Sequence, residues 1–488
     1  MFFEKKDRTV VLFWAALFAF ILSKGQALVP GMGLDDYTAL HLDRNPLFYL
    51  WQGRFTQALI QVLLTKLGLA PTAMSFPVIV LFFVFGSMAI ALGVLYVARN
   101  RGHVVALASV AALMASFPYL TEYFTFRESL VTQGFAFTLM ALVFALSRAG
   151  RPASPLARAG RFSAIVVAMV LLGGAQQTAF IVLGFFLFSR IVIDYVDTTQ
   201  ANDQTANAES KSMLLAYLCA CIAYVVVYLI IKKMTDIPLD ARSSVIGLSE
   251  LQGRLGQIGK LAGKILFLGE PTVSLAMKNY LTYIVGILFV LVALARPKAA
   301  IVVAAAACLM FAGSIVLVSI SGVWWPVPRA VYGFGFALAL VLLLLHLLSR
   351  ASIARYYAVA VGIAALGLAF HSSAILYDQI RLNRWDAWVA GNIVRELAAA
   401  GVTGQQRIVL VGAGYIHPLG PPTSDGDLNA SALVKPWTAT DLFAETTGRP
   451  WKVDSVGMAP ECGDSVYWPA EGAIKRGKDA IYVCMGKR

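Results

Sequence analysis

Charge is scarce in this sequence. Asp, Glu, Lys and Arg make up 14% of its 488 residues, against roughly a quarter in soluble domains. Hydrophobic residues make up 59%, and mean hydropathy is +0.72. A chain this long and this apolar is neither a soluble globule nor a disordered segment, which leaves an integral membrane protein. No heptad and no glycine period runs through it, so coiled coil and collagen are excluded too. Histidine and cysteine number five each. The histidines (His41, His103, His346, His371, His417) are scattered and show no metal-ligand spacing. A polybasic tail is also missing. Residues 377–488 carry 12 Lys and Arg against 12 Asp and Glu, so the whole net charge of +13 belongs to residues 1–376. There Lys and Arg set membrane topology, and nothing is arranged to grip the phosphates of a nucleic acid.

What the chain does have is long apolar runs. A span needs about 20 mostly apolar residues, and eleven such runs are present: 9–24, 75–98, 104–120, 130–147, 162–175, 177–193, 213–231, 279–295, 299–320, 330–349 and 355–376. The fifth and sixth are parted only by Gly173-Gly174-Ala175-Gln176-Gln177, a tight turn or an unwound half-helix point. Alternate connections carry the short basic clusters, from Lys5, Lys6 and Arg8 through Arg99, Arg101, Arg148 and Arg161 to Arg350 and Arg355. By the positive-inside rule the N-terminus is cytoplasmic, and an odd span count puts the C-terminus outside. No small-residue cleavage site follows the first span, which reads as a retained anchor. The expected fold is an α-helical polytopic membrane protein of about 11 transmembrane helices (1–376) with a small extracytoplasmic α/β domain (377–488). That tail reads as a helix near 383–400 and strands at 407–411 and 480–484. The inside loop 194–212 reads as polar and flexible, and the stretch 244–265 as an amphipathic interfacial helix with Arg254, Lys260 and Lys264 on its polar side.

Groups able to do chemistry collect in the outside loops. The first holds Gly33-Leu34-Asp35-Asp36-Tyr37, then Arg44, then Trp51-Gln52-Gly53-Arg54. Two adjacent carboxylates just past a span are costly unless they face water, a cation or a substrate, although a solvated turn has the same composition. The second loop adds Glu122, Arg127 and Glu128 among aromatics: groups able to bind sugar and phosphate, or an interfacial aromatic belt with a local ion pair. Arg329, behind two prolines, suits either a lipid headgroup or a lipid-linked phosphate. Val411-Gly412-Ala413-Gly414 lacks the third glycine of a dinucleotide fingerprint and reads as a turn. Cys219, Cys221 and Cys308 fall in spans. Cys462 and Cys484 fall in the tail, where an oxidising compartment makes a disulfide plausible.

The Asp35-Asp36 pair after the first span, with Arg44 and Gly53-Arg54, resembles the polyprenyl-phosphate-sugar-dependent glycosyltransferases of the GT-C type. The nearest likeness is to the O-antigen-modifying glucosyltransferases, the Gtr type II family. Phe124-Thr125-Phe126, Gln176-Gln177, Pro328-Arg329, the stretch Asp378–Asp386 and the terminal Val483-Cys484 agree with it. The resemblance implies a bacterial inner-membrane enzyme with its site on the periplasmic face. Its donor would be a sugar on undecaprenyl phosphate, with glucose expected, and its acceptor a surface glycan such as O-antigen. Asp35 or Asp36 would be the catalytic base, with Glu122 next in line. Arg44, Arg54, Arg127, Glu128 and Arg329 would hold the substrate and its lipid phosphate. The aspartate pair could instead hold a divalent cation. A lipid-linked-sugar flippase or a polysaccharide polymerase are the alternatives; the early acidic pair, the concentration of ionisable groups in the outside loops and the lack of a repeat favour the transferase.

Overall fold

The computed structural model describes residues 5–29, 31–38, 46–70, 72, 74–99, 101–149, 154–196, 204–235, 244–268, 272–349, 351–402, 406–413, 428–463 and 466–486. Ten helices among them are long and apolar enough to cross a membrane. They are α1 (Lys5–Lys24), α5 (Ser75–Ala98), α7 (Arg127–Arg148), α8 (Pro155–Ala175), α9 (Gln177–Val196), α10 (Gln204–Thr235), α12 (Leu275–Ala295), α13 (Pro297–Ile320), the pair α14 (Pro328–Val331) and α15 (Gly333–Leu348), and α16 (Ala354–Ala399). An eleventh is bent: α6 (Val104–Ser116) meets the 3-10 turn Pro118–Phe124 at 48°. Pro118 explains the bend, because it has no N–H to continue the helical ladder and pushes Phe117 into extended backbone. Lys24, buried at the end of α1, donates to the carbonyls of Ala115 and Phe117 that this break frees. Between α8 and α9 the chain makes a tight turn in which Gln176 alone is extended, φ −155° and ψ 107°.

Three features differ from the sequence reading. First, the last span and the helix expected near 383–400 are one 46-residue helix, α16, so the membrane part runs into the tail without a linker. Its buried residues change partners along the way. Leu368 and Leu376 pack in the bundle core, whereas Val389, Ile393 and Leu397, spaced by four, pack in the tail core. Second, the inside loop 194–212 is largely helical or pinned, because α10 begins at Gln204. Asp194 pairs with Arg99 at 2.7 Å and Arg190 at 3.1 Å, and accepts from Ser210 Oγ at 2.6 Å; residues 197–203 lie outside the described ones. Third, Arg254 on the amphipathic α11 (Leu251–Gly263) points inward. It donates to the carbonyls of Val318, Ser321 and Gly322, which the end of α13 leaves without helical partners, and it stacks on Trp324.

The tail is a four-stranded sheet of order β2-β1-β4-β3, with β1 (Arg407–Val411), β2 (Lys452–Val456), β3 (Ile474–Arg476) and β4 (Ile481–Cys484). β1 pairs in parallel with β2 and β4; β3 is an antiparallel edge. α17 (Pro436–Thr447) and the far end of α16 cover it. Cys462 and Cys484 form a disulfide with Cα atoms 5.5 Å apart. A link across 22 residues constrains the unfolded tail by about 3 kcal/mol. Peptide mapping without reductant is expected to recover the two as one linked species, and reduction to speed proteolysis of the tail. Both thiols free would contradict the pairing.

The connection between α1 and α5 ties the bundle to the tail. Short helices α2 (Leu34–Thr38), α3 (Leu47–Trp51) and α4 (Phe55–Lys66) build it. Leu34 and Tyr37 are buried in the tail core. The Met32 backbone is held by two α16 side chains: its N–H donates to Asn383, and its carbonyl accepts from Asn383 and Gln379.

Candidate functional site

At the tail end of the bundle a cavity of about 570 Å³ is walled by five connections, by α10 and the end of α13, and by Trp437 of the tail. Arg54 sits on it because of the residue before it. Gly53 has φ +72°, and a Cβ there would lie 2.6 Å from the Tyr224 hydroxyl, so the turn that delivers Arg54 requires glycine. Gln177, first residue of α9, orients the guanidinium: its Oε1 accepts from Arg54 Nε at 3.4 Å, while its Nε2 donates to Gln52 O and the Tyr224 hydroxyl. The two terminal nitrogens of Arg54 have no protein partner among the described residues. Burial pushes its pKa down; Tyr123 opposes this and the nearby Arg329 adds to it. A guanidinium in this position attracts an anion. Gly53→Ala is therefore expected to displace Arg54 and weaken binding of a phosphate anion in the cavity about tenfold or more, through the strain of a left-handed residue and the clash with Tyr224. Unchanged affinity in folded variant protein would contradict that placement.

Glu128 lines the same cavity, and its Oε2 accepts from the Tyr49 hydroxyl at 3.2 Å. Arg329 lines it as well, but in a different condition. Its guanidinium and its backbone N–H both bond to the carboxylate of Glu122, which is fully buried, and its planar end lies between the rings of Phe126 (4.1 Å) and Trp325 (4.6 Å). This is a neutralised, desolvated pair. Removing either partner takes away the charge that neutralises the other in a buried place, which damages folding before chemistry. Aromatic rings complete the lining: Phe48, Tyr123, Tyr228 and, from the tail, Trp437, which is 53% exposed.

Two other candidates from sequence, Asp36 and Arg127, do not line the cavity. Asp36 is fully buried and does not line the cavity. Its carboxylate accepts the N–H groups of Gly33 (2.9 Å) and Glu128 (3.0 Å), so it caps the N-terminus of α7 from a segment 92 residues away. The side chain of Asp35 and all of Arg44 lie outside the described residues. Arg127 is buried and latches α7 to the start of α5 and the segment after α1, donating to Ser75 Oγ and to the carbonyls of Ala27 and Val29. Among the described residues no three His, Cys, Asp or Glu side chains gather closely enough to hold a metal ion. Nothing in the sequence points Tyr49, Trp325 or Trp437 to this cavity; Gln176-Gln177 is marked there as a polar break between two apolar spans and as part of the family resemblance. Comparison with protein-family models, curated proteins and solved structures finds no match for this chain.

Proposed function

We propose that this chain is a membrane-embedded glycosyltransferase of the bacterial inner membrane. It moves a sugar, glucose in the first instance, from undecaprenyl phosphate to a surface glycan such as O-antigen on the periplasmic face. Its N-terminus is cytoplasmic and its tail periplasmic. The observation that carries this reading is the cavity that holds both an anion-seeking guanidinium, Arg54, and a carboxylate, Glu128, between aromatic walls. An acceptor hydroxyl gives its proton to Glu128 as its oxygen bonds to the anomeric carbon. The bond from that carbon to the phosphate oxygen breaks, and its electron pair leaves on the lipid phosphate, whose added charge Arg54 stabilises. Direct displacement inverts the anomeric centre and forms no sugar–enzyme bond. Asp36, engaged by two backbone N–H groups, acts by holding the first turn of α7 and hence Glu128. Most of the cavity lining comes from connections at one end of the bundle, with Tyr224 and Tyr228 of α10 added from within a span, and this favours a transferase over a flippase.

The test is to incubate purified protein with an acceptor glycan and a panel of undecaprenyl-phosphate sugars, and to follow the lipid by mass spectrometry. Free undecaprenyl phosphate should accumulate with at least one donor in step with glycosylated product. No release from any donor would remove the reading.

A further inference from the structure

Gln176 lines the cavity, is 1% exposed, and has no hydrogen-bond partner among the described residues at either its amide nitrogen or its amide oxygen. A buried amide unpaired at both ends is costly and rare. The turn does not require it. The Gln176 N–H donates to Leu172 O and its carbonyl accepts from Phe180 N–H, so the backbone is satisfied whatever the side chain. Its neighbour Gln177 differs, with both ends of its amide committed to Arg54, Gln52 and Tyr224.

The chemistry of an amide selects among ligands. It offers two donors and one acceptor. A lipid chain would use neither kind, and a phosphate would use only the donors and leave the oxygen unpaired. A sugar hydroxyl both gives and accepts a hydrogen bond, so vicinal hydroxyls satisfy both ends. Position agrees with this. Gln177 orients Arg54, the group argued to meet the phosphate, and the sugar is bonded directly to that phosphate. The residue next to Gln177 therefore stands beside the sugar ring.

We propose that Gln176, by a turn of its side-chain torsions, reads a hydroxyl of the donor sugar and thereby sets which sugar is transferred; this rests on the glycosyltransferase reading above. A site built to pair a hydroxyl strongly rejects the analogue lacking it, because its own polar groups are then stranded.

The experiment compares wild type, Gln176→Leu and Gln176→Glu with undecaprenyl-phosphate glucose and its 2-, 3-, 4- and 6-deoxy analogues, reading kcat/KM for each donor. Wild type should disfavour one deoxy donor by about 10²-fold or more. In Gln176→Leu that ratio should collapse to within about threefold of unity, while the ratios for the other deoxy donors stay as in wild type. Ratios within one preparation do not depend on the folded fraction. Dissociation constants for the same donors supply the ratio if a variant binds without turnover. Gln176→Glu keeps an acceptor and should retain part of the discrimination. A wild-type ratio preserved in Gln176→Leu, or no discrimination in wild type, overturns the proposal while leaving the transferase intact. No transfer by wild type from any polyprenyl-phosphate sugar removes both.

Discussion

Glu128→Gln is expected to lower transfer by about 10²–10⁴-fold while the protein inserts and accumulates like wild type. Gln has the same length, and its amide oxygen still accepts from the Tyr49 hydroxyl. It cannot take the proton that the acceptor must lose. Asp36→Asn should behave in the opposite way. The amide can accept from only one of the two N–H groups that Asp36 holds, which costs about 1–3 kcal/mol for the group left unpaired. Accumulation falls, and the rate per folded molecule changes less than in Glu128→Gln. Loss of transfer in Asp35→Asn with near-normal transfer in Glu128→Gln would return the role of base to the acidic pair.

Arg54→Ala is the second large effect. A preorganised donor aimed at developing negative charge typically supplies about 10²–10³-fold in rate, and the Arg54 terminal nitrogens, on the cavity, have no hydrogen-bond partner among the described residues. Arg54→Lys should recover little, since one ammonium cannot both bond to Gln177 and present a fork to phosphate. Gln177→Ala should reproduce a weaker version of the defect, because Arg54 keeps its charge and loses its aim. Arg329→Ala should differ from all of these by failing to accumulate, because the buried Glu122 carboxylate loses the guanidinium that neutralises it. If Arg54→Ala keeps wild-type kcat/KM, the lipid phosphate is held elsewhere.

The spans were legible because hydrophobicity over some 20 residues is a local property, and the bend at Pro118 and the turn at Gln176 were marked by residues that break helices. The continuity of α16 was hidden by its charges. Asp378, Arg381 and Arg384 interrupt the apolar run just where the helix leaves one core for the other, and only the tail packing of Val389, Ile393 and Leu397 explains it. The candidate site was legible by segment and not by role. The connections that carry Arg54, Glu122, Glu128 and Arg329 do converge. Which of these charges is engaged by the protein, however, depends on partners far away in sequence: Arg329 for Glu122, and the N–H of Glu128 for Asp36. Adjacent carboxylates after a span suggest catalysis because exposure to lipid would be costly; a backbone cap meets the same cost, and nothing local distinguishes the two. Tyr49 and Trp325 resemble ordinary interfacial aromatics until the fold turns them onto one cavity.

The most direct test of the central claim is photo-crosslinking with an undecaprenyl-phosphate glucose carrying a photoreactive group on the sugar, followed by digestion and mapping of the adducts. The account predicts adducts in the peptides containing Phe48–Arg54, Tyr123–Ser129, Gln176–Thr178 and Trp325–Arg329, competed away by unlabelled donor. Competed adducts confined to the opposite end of the bundle, around Arg99 and Asp194, would contradict it.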